Sequence, residues 1–158
     1  MLLDENQTEQ LNTAIESALD KVYEHDIYLI EQKVHERTIV SRFCIYFQHE
    51  LNLTTFASNN LDSEYNRYDT EPKRTSNFTK GTYPDIILHK RGSNDANVLV
   101  VEFKTSWNKN TAKDIQKLKD YTNQQGKYKY GIGCSIVLNQ NRADVKTTLI
   151  KNGEVSND

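Results

Sequence analysis

The sequence predicts a mixed α/β fold in which helices flank a central sheet of parallel and antiparallel strands. Two stretches in the N-terminal third carry apolar residues at helical intervals, and a β-hairpin pattern follows them. The second half then alternates one more helical pattern with strand patterns. The resulting order of two helices, three strands, one helix and two strands is typical of an α/β sandwich with a partly antiparallel sheet.

The length and composition predict one soluble domain over residues 1–158. The 158 residues are 36% hydrophobic and 27% charged, so they are enough to bury a single core. The apolar stretches are far shorter than the roughly 20 residues that span a bilayer, and the acidic N-terminus lacks the features of a secretory signal. We therefore expect a cytoplasmic protein with no membrane partner.

Two helices are predicted before the hairpin. An apolar stripe at spacings of three and four residues indicates the first, over about 8–23. The second is expected over about 35–51, where Val40 and Phe43 lie within roughly 40° of Glu36 on a helical projection. A carboxylate on that stripe points inward and needs a cation or a hydrogen-bond donor. The alternative is a solvated Glu36 that interacts only with the helix dipole.

Counting residues back from the hairpin loop predicts that two carboxylates lie next to each other. A loop at 91–96 pairs the strand from Asp85 with the strand that ends at Lys104, and this register places Asp85 opposite Glu102. Opposed Cβ atoms lie about 4.5–5.5 Å apart, so both side chains could ligate one metal ion, whereas bare like charges would be destabilising. Alternation along the strand puts Lys104 on the same face as Glu102 and Phe103 on the other.

The remaining elements follow from turn and cap signals. A strand pattern at 61–68 precedes an exposed loop at 69–81, and the apolar stretch at 98–101 predicts a central strand covered on both faces. Thr111 and Asp114 have the spacing of a capping box at the start of a helix. A buried strand is expected at 130–138, with a terminal hairpin at 145–155.

The residues 83–85, Tyr-Pro-Asp, and 100–104, Val-Val-Glu-Phe-Lys, resemble the signature of the PD-(D/E)XK nuclease superfamily. That signature is Pro-Asp followed by Glu-x-Lys on adjacent strands, and Glu36 matches the glutamate of the first core helix. The resemblance implies a restriction-endonuclease-like core over about 34–138, with 1–30 as an N-terminal helical extension. Two segments, 64–67 and 89–92, are also similar to bacterial sequences of this type that lack an assigned function.

The resemblance implies a metal-dependent nuclease that hydrolyses phosphodiester bonds, with DNA as the expected substrate. Asp85, Glu102 and Lys104 would be catalytic, and Lys104 would orient or activate the attacking water. Glu36, Asp85 and Glu102 would hold Mg²⁺, with Mn²⁺ as a substitute, since hard oxygen ligands suit both ions. The alternatives are a catalytically silent nucleic-acid or protein-binding module with the same fold, and a subunit in which Glu102 and Lys104 form a structural pair.

The charge distribution gives weaker support for a nucleic-acid partner. Residues 1–66 contain four basic and twelve acidic side chains, whereas residues 67–129 contain thirteen basic and seven acidic ones. A solvated lysine-rich face is the commoner explanation of such an asymmetry. A domain of this size has little surface with which to surround a substrate, so a homodimer or a larger protein partner is also expected. The candidate phosphate contacts are Lys73, Arg74, Lys113 and Lys117.

Overall fold

The computed structural model describes residues 1–68, 71–107 and 111–156. Its helices are α1 Glu5–His25, α2 Ile27–Glu31, α3 Glu36–Leu51 and α4 Ala112–Thr122, with a short 3-10 helix at Arg142–Asp144. Its strands are β1 Asn60–Ser63, β2 Arg67–Tyr68, β3 Glu71–Pro72, β4 Ile86–His89, β5 Leu99–Thr105, β6 Ile132–Leu138, β7 Lys146–Lys151 and β8 Glu154–Val155.

Six strands form one mixed sheet in the order β1-β4-β5-β6-β7-β8, and β2 pairs with β3 separately. β5 and β6 are parallel, whereas the other neighbours in the large sheet are antiparallel. Parallel neighbours need a crossover connection, and α4 supplies it. The mixed α/β class with a central sheet flanked by helices is therefore confirmed. Within the described ranges, no helix combines the length and apolar character needed to cross a membrane.

The two faces of the sheet are covered by different helices. Val101 and Phe103 of β5 belong to the large core that contains α1 and α3, and Val100 belongs to a smaller core built around α4. The Phe103 ring meets that of Phe43 on α3 at a centroid distance of 5.0 Å. β5 is covered on both faces, as its doubly apolar sequence predicts.

The first helix, α1, extends beyond both ends of the range that the apolar stripe predicts. Asp4 caps α1 because its Oδ1 accepts a hydrogen bond from the Gln7 amide at 2.7 Å, and the Gln7 side chain accepts one from the Asp4 amide. The buried face of α1 lies in the large core together with α3 and β6. α1 therefore contributes to the hydrophobic core, and β7 and β8 widen the sheet beyond β6.

Three further expectations concern the start of α4, the terminal hairpin and the loop at 69–81. The expected capping box is wrong, because Thr111 makes no side-chain capping bond and Asp114 is turned inward. The terminal hairpin is confirmed, with Asn152 and Gly153 at the positive φ values that a type I′ turn requires. The first two residues of the loop expected at 69–81 lie outside the described residues, and β3 lies within the rest of it.

A glycine lets α4 approach the sheet closely. A Cβ atom at Gly133 of β6 would lie 3.1 Å from Thr122 Cγ2 and 3.3 Å from Leu118 Cβ, both on α4. These contacts are tighter than side-chain packing normally allows, so the absence of a side chain at Gly133 sets the distance between helix and sheet. Polar side chains on the inner face of α4 can therefore reach the neighbouring strand β5.

Replacing Phe43 by Ala should lower the free energy of unfolding by about 3–5 kcal/mol, because it removes a fully buried ring and leaves a cavity beside Phe103. Chemical denaturation followed by circular dichroism measures this loss. Ile45→Ala is the matched control, since Ile45 lies on the same helix but is 55% exposed. Its effect should stay within about 0.5 kcal/mol. Equal losses for the two variants would contradict this packing.

Candidate active site

The register of β4 and β5 brings the two halves of the Pro-Asp and Glu-x-Lys pattern together. Ile86 pairs with Val101, as counting from the loop predicts, so Asp85 lies level with Glu102 just before β4 begins. Asp85 Oδ2 accepts a hydrogen bond from the Phe103 amide at 2.7 Å. The Asp85 side chain is therefore fixed against the β5 backbone, beside the carboxylate that the sequence places there.

Glu102 projects from the face of β5 that α4 covers and is only 3% exposed. Lys117 of α4 donates a hydrogen bond from Nζ to Glu102 Oε2 at 2.9 Å, and the same nitrogen lies 3.3 Å from Asp114 Oδ1. The other oxygen of Asp114, Oδ2, lies 3.3 Å from Lys104 Nζ. A continuous chain of ion pairs thus links Glu102, Lys117, Asp114 and Lys104.

Glu36 occupies the first turn of α3 and faces the interior. Its Oε2 atom is fully enclosed and has no hydrogen-bond partner. Burial raises the pKa of Glu36, while the Lys104 charge lowers it and the Asp85 charge raises it. Glu36 and Asp85 line one pocket of about 200 Å³. These contacts confirm the inward-facing interpretation of Glu36 over the solvated alternative.

Burial dominates the electrostatics of the other two acids as well. It raises the pKa of Asp85, against the lowering effects of the Phe103 amide and of nearby lysine charges. Burial, followed by the Asp85 charge, raises the pKa of Glu102 to about 8, although Lys117 acts in the opposite direction. These carboxyl groups hold protons more tightly than solvated acids do, because burial disfavours their charged forms more than the nearby donors and lysines favour them.

The cluster has the right donor atoms for a hard cation but is not arranged as a finished metal site. Three of its buried carboxylate oxygens lack a hydrogen-bond partner, which suits Mg²⁺ or Mn²⁺. Among the residues that the structure describes, however, no group of three or more His, Cys, Asp or Glu side chains is placed to hold a metal ion. The expected Mg²⁺ site therefore stays a prediction. The three oxygens are Glu36 Oε2, Glu102 Oε1 and Asp114 Oδ2, and the last of them is ion-paired with Lys104.

Two of the expected phosphate contacts are turned away from solvent. Lys73 is only 3% exposed, donates a hydrogen bond to the Arg67 carbonyl and lies 5.0 Å from the centre of the Tyr65 ring. Burial lowers the pKa of its amine to about 8. Lys73 is thus an interior residue of the segment that precedes β4. The expectation that it contacts a phosphate is wrong, because its side chain does not reach the surface. Lys117 points into the acidic cluster instead of outward.

Arg74 and Lys113 are exposed, so their contact with nucleic acid stays a prediction. Asp114 is the site residue that sequence reasoning missed. Its position three residues after Thr111 fits a helix cap, and this local interpretation concealed its ion pairs with Lys104 and Lys117. The available signal was the spacing of Asp114 and Lys117, which places both on one side of α4.

Comparisons of the chain with protein families, with curated proteins and with solved structures found no match.

Replacing Glu102 by Gln should flatten the pH dependence of stability in the presence of EDTA. The Glu102 carboxyl has a pKa near 8 in the folded chain and an ordinary value, about 4.3, when unfolded. Between these pH values the folded state binds more protons, so the Glu102 contribution to stability falls as the pH rises. From pH 5 to pH 8, wild type should lose at least about 1 kcal/mol relative to Glu102→Gln. Denaturant titrations at each pH measure the difference, and parallel curves would contradict the raised pKa.

Proposed function

We propose that this chain is a metal-dependent nuclease that hydrolyses phosphodiester bonds in DNA and is built on a restriction-endonuclease-like core. One observation carries the proposal. The Phe103 amide holds Asp85 against the strand that bears Glu102 and Lys104, so the Pro-Asp and Glu-x-Lys segments meet side by side. The inward-facing Glu36, which shares a pocket with Asp85, supports the same function.

Asp85 and Glu102, helped by Glu36, are the residues that would hold Mg²⁺, with Mn²⁺ as a substitute. When bound, such a cation polarises the phosphoryl group, lowers the pKa of a water and neutralises charge on the leaving oxygen. The unpartnered oxygens of Glu36 and Glu102 support this assignment, since a buried carboxylate oxygen without a donor favours a cation. The hydrogen bond to Asp85 Oδ2 holds that carboxylate in a fixed orientation.

Lys104 is the side chain that would act directly on the reacting groups. Its side chain is 24% exposed, so the ammonium can reach a substrate phosphate or a water at the mouth of the cluster. In hydrolysis the water oxygen bonds to phosphorus, the bond to the sugar oxygen breaks, and a proton passes to the departing oxygen. The Lys104 ammonium would orient the water or stabilise charge on the phosphoryl oxygens. Asp114 holds Lys104 in place through its Oδ2 atom.

A catalytically silent module that binds nucleic acid or protein is the second candidate function. The observation that favours it is the ion pairing within the cluster, in which Lys117 pairs with Glu102 and Lys104 pairs with Asp114. Such a module would bind DNA without forming product, and binding to phosphates would weaken as salt rises. In either case a homodimer or a larger protein partner would add surface for the substrate, and sedimentation at several concentrations tests the homodimer.

Asp85→Asn and Lys104→Met should each lower Mg²⁺-dependent cleavage of plasmid and single-stranded DNA by at least about 100-fold, since each removes a charge that acts on the reacting groups. Gel assays with Mg²⁺, Mn²⁺ or EDTA measure the loss. Lys90→Met is the control, because Lys90 is an exposed lysine at the opposite end of β4 from Asp85 and should leave cleavage unchanged.

The two candidate functions give different outcomes in this assay. Cleavage by wild type and by Lys90→Met, but not by the two site variants, supports the nuclease. Product formation by wild type that does not exceed that of Asp85→Asn under any metal condition would reject it. Salt-sensitive DNA binding without product would then favour the binding module.

A further inference from the structure

A lysine forms an ion pair with Glu102, one of the expected metal ligands. Glu102 is almost fully buried, and its Oε2 accepts a hydrogen bond from Lys117 Nζ, whereas its Oε1 has no partner. Taking a charged carboxylate out of water is costly unless a cation accompanies it. Lys117 supplies that cation from the chain itself.

Lys117 differs from the neighbouring lysines of α4. Lys113 is exposed, and Lys119 lies 3.7 Å from Glu154, itself 85% exposed, at the edge of the sheet. Lys117 alone among these three contacts a carboxylate of the candidate active site. The close approach of α4 at Gly133 makes this contact possible.

Lys117 also has a second acceptor available. Its Nζ atom also lies 3.3 Å from Asp114 Oδ1, and its side chain is 20% exposed. The ammonium can therefore leave Glu102 while retaining Asp114 and gaining water. A divalent cation at Glu102 would favour this movement, because the ammonium and the cation would share one carboxylate and repel each other.

We propose that Lys117 is a resident counterion of Glu102, which it releases when a divalent cation binds, and that this exchange weakens the affinity of the site for metal. The inference rests on the proposed function, because it takes Glu102 as a metal ligand. The ion pair keeps the buried carboxylate compensated before the metal arrives. Metal binding then includes the cost of moving Lys117, and the site fills only at a higher metal concentration.

The first test compares Lys117→Gln with Lys113→Gln in the full chain by calorimetric titration with Mg²⁺ at pH 8.5, where protons compete less for Glu102. Both variants lose one positive charge from α4, so they have the same net charge. Lys117→Gln should bind Mg²⁺ about tenfold more tightly than wild type, since one positive charge beside the site is removed. Lys113→Gln should stay within about twofold, because the charge of an exposed lysine is screened by solvent and salt.

The second test needs no substitution and applies even if Lys117→Gln does not fold. Wild type is labelled with an amine-reactive acetylating reagent with and without Mg²⁺, and mass spectrometry gives the labelling rate of each lysine. Lys117 should react at least about threefold faster with Mg²⁺, relative to Lys113 in the same molecules, because the ammonium moves towards water. An unchanged relative rate at a Mg²⁺ concentration that saturates the calorimetric titration would overturn the proposal.

The outcomes separate this inference from the proposed function. Tighter binding by Lys117→Gln, without DNA cleavage by wild type, would support the counterion and reject the nuclease. Cleavage by wild type, together with equal or weaker Mg²⁺ binding by Lys117→Gln, would reject the counterion and retain the nuclease. If neither wild type nor Lys117→Gln binds Mg²⁺, both proposals are rejected.

Discussion

The arrangement of the candidate site depends on one constraint, which is that a carboxylate removed from water needs compensating positive charge. Glu102 lies in the middle of a central strand and is almost fully buried, so the compensation has to come from a neighbouring element. The crossover helix α4 provides it through Lys117, and Gly133 allows that helix to lie close enough. Asp114 of the same helix also turns inward, where it contacts both Lys117 and Lys104.

Phe103 connects the site to the hydrophobic core. Its ring packs against Phe43 on the α3 face of the sheet, while its backbone amide donates to Asp85 Oδ2. A residue that is anchored by core packing therefore holds the Asp85 carboxylate in a fixed orientation, which is how rigid strands position side chains. Glu36 reaches the same region from α3, the helix against which Phe103 packs. Packing of Phe103 on one face of the sheet thus sets the orientation of Asp85 beside Glu102.

The parts of the site that follow from local rules could be predicted from sequence, and the parts that depend on tertiary contacts could not. The pairing of Asp85 with Glu102 follows from loop length and strand alternation, and both are fixed over a few residues. Asp114 fits a helix cap equally well, and only the approach of α4 to β5 reveals its contact with Lys104. Lys73 is likewise buried by contacts distant in sequence, since its ammonium lies 6.0 Å from the centre of the Tyr128 ring.

The charge balance of the cluster is the physical reason for proposing a metal ion where the structure shows a closed ion-pair network. When all its acids are ionised, the cluster has four carboxylates and two ammonium groups, an excess of two negative charges. The raised pKa of three of those acids shows that burial makes their negative charge costly. Protons can reduce the excess, but only by neutralising possible ligands, whereas one divalent cation removes it and leaves every carboxylate ionised. The same excess therefore favours a doubly charged ion over a third lysine. The four acids are Glu36, Asp85, Glu102 and Asp114, and the two lysines are Lys104 and Lys117.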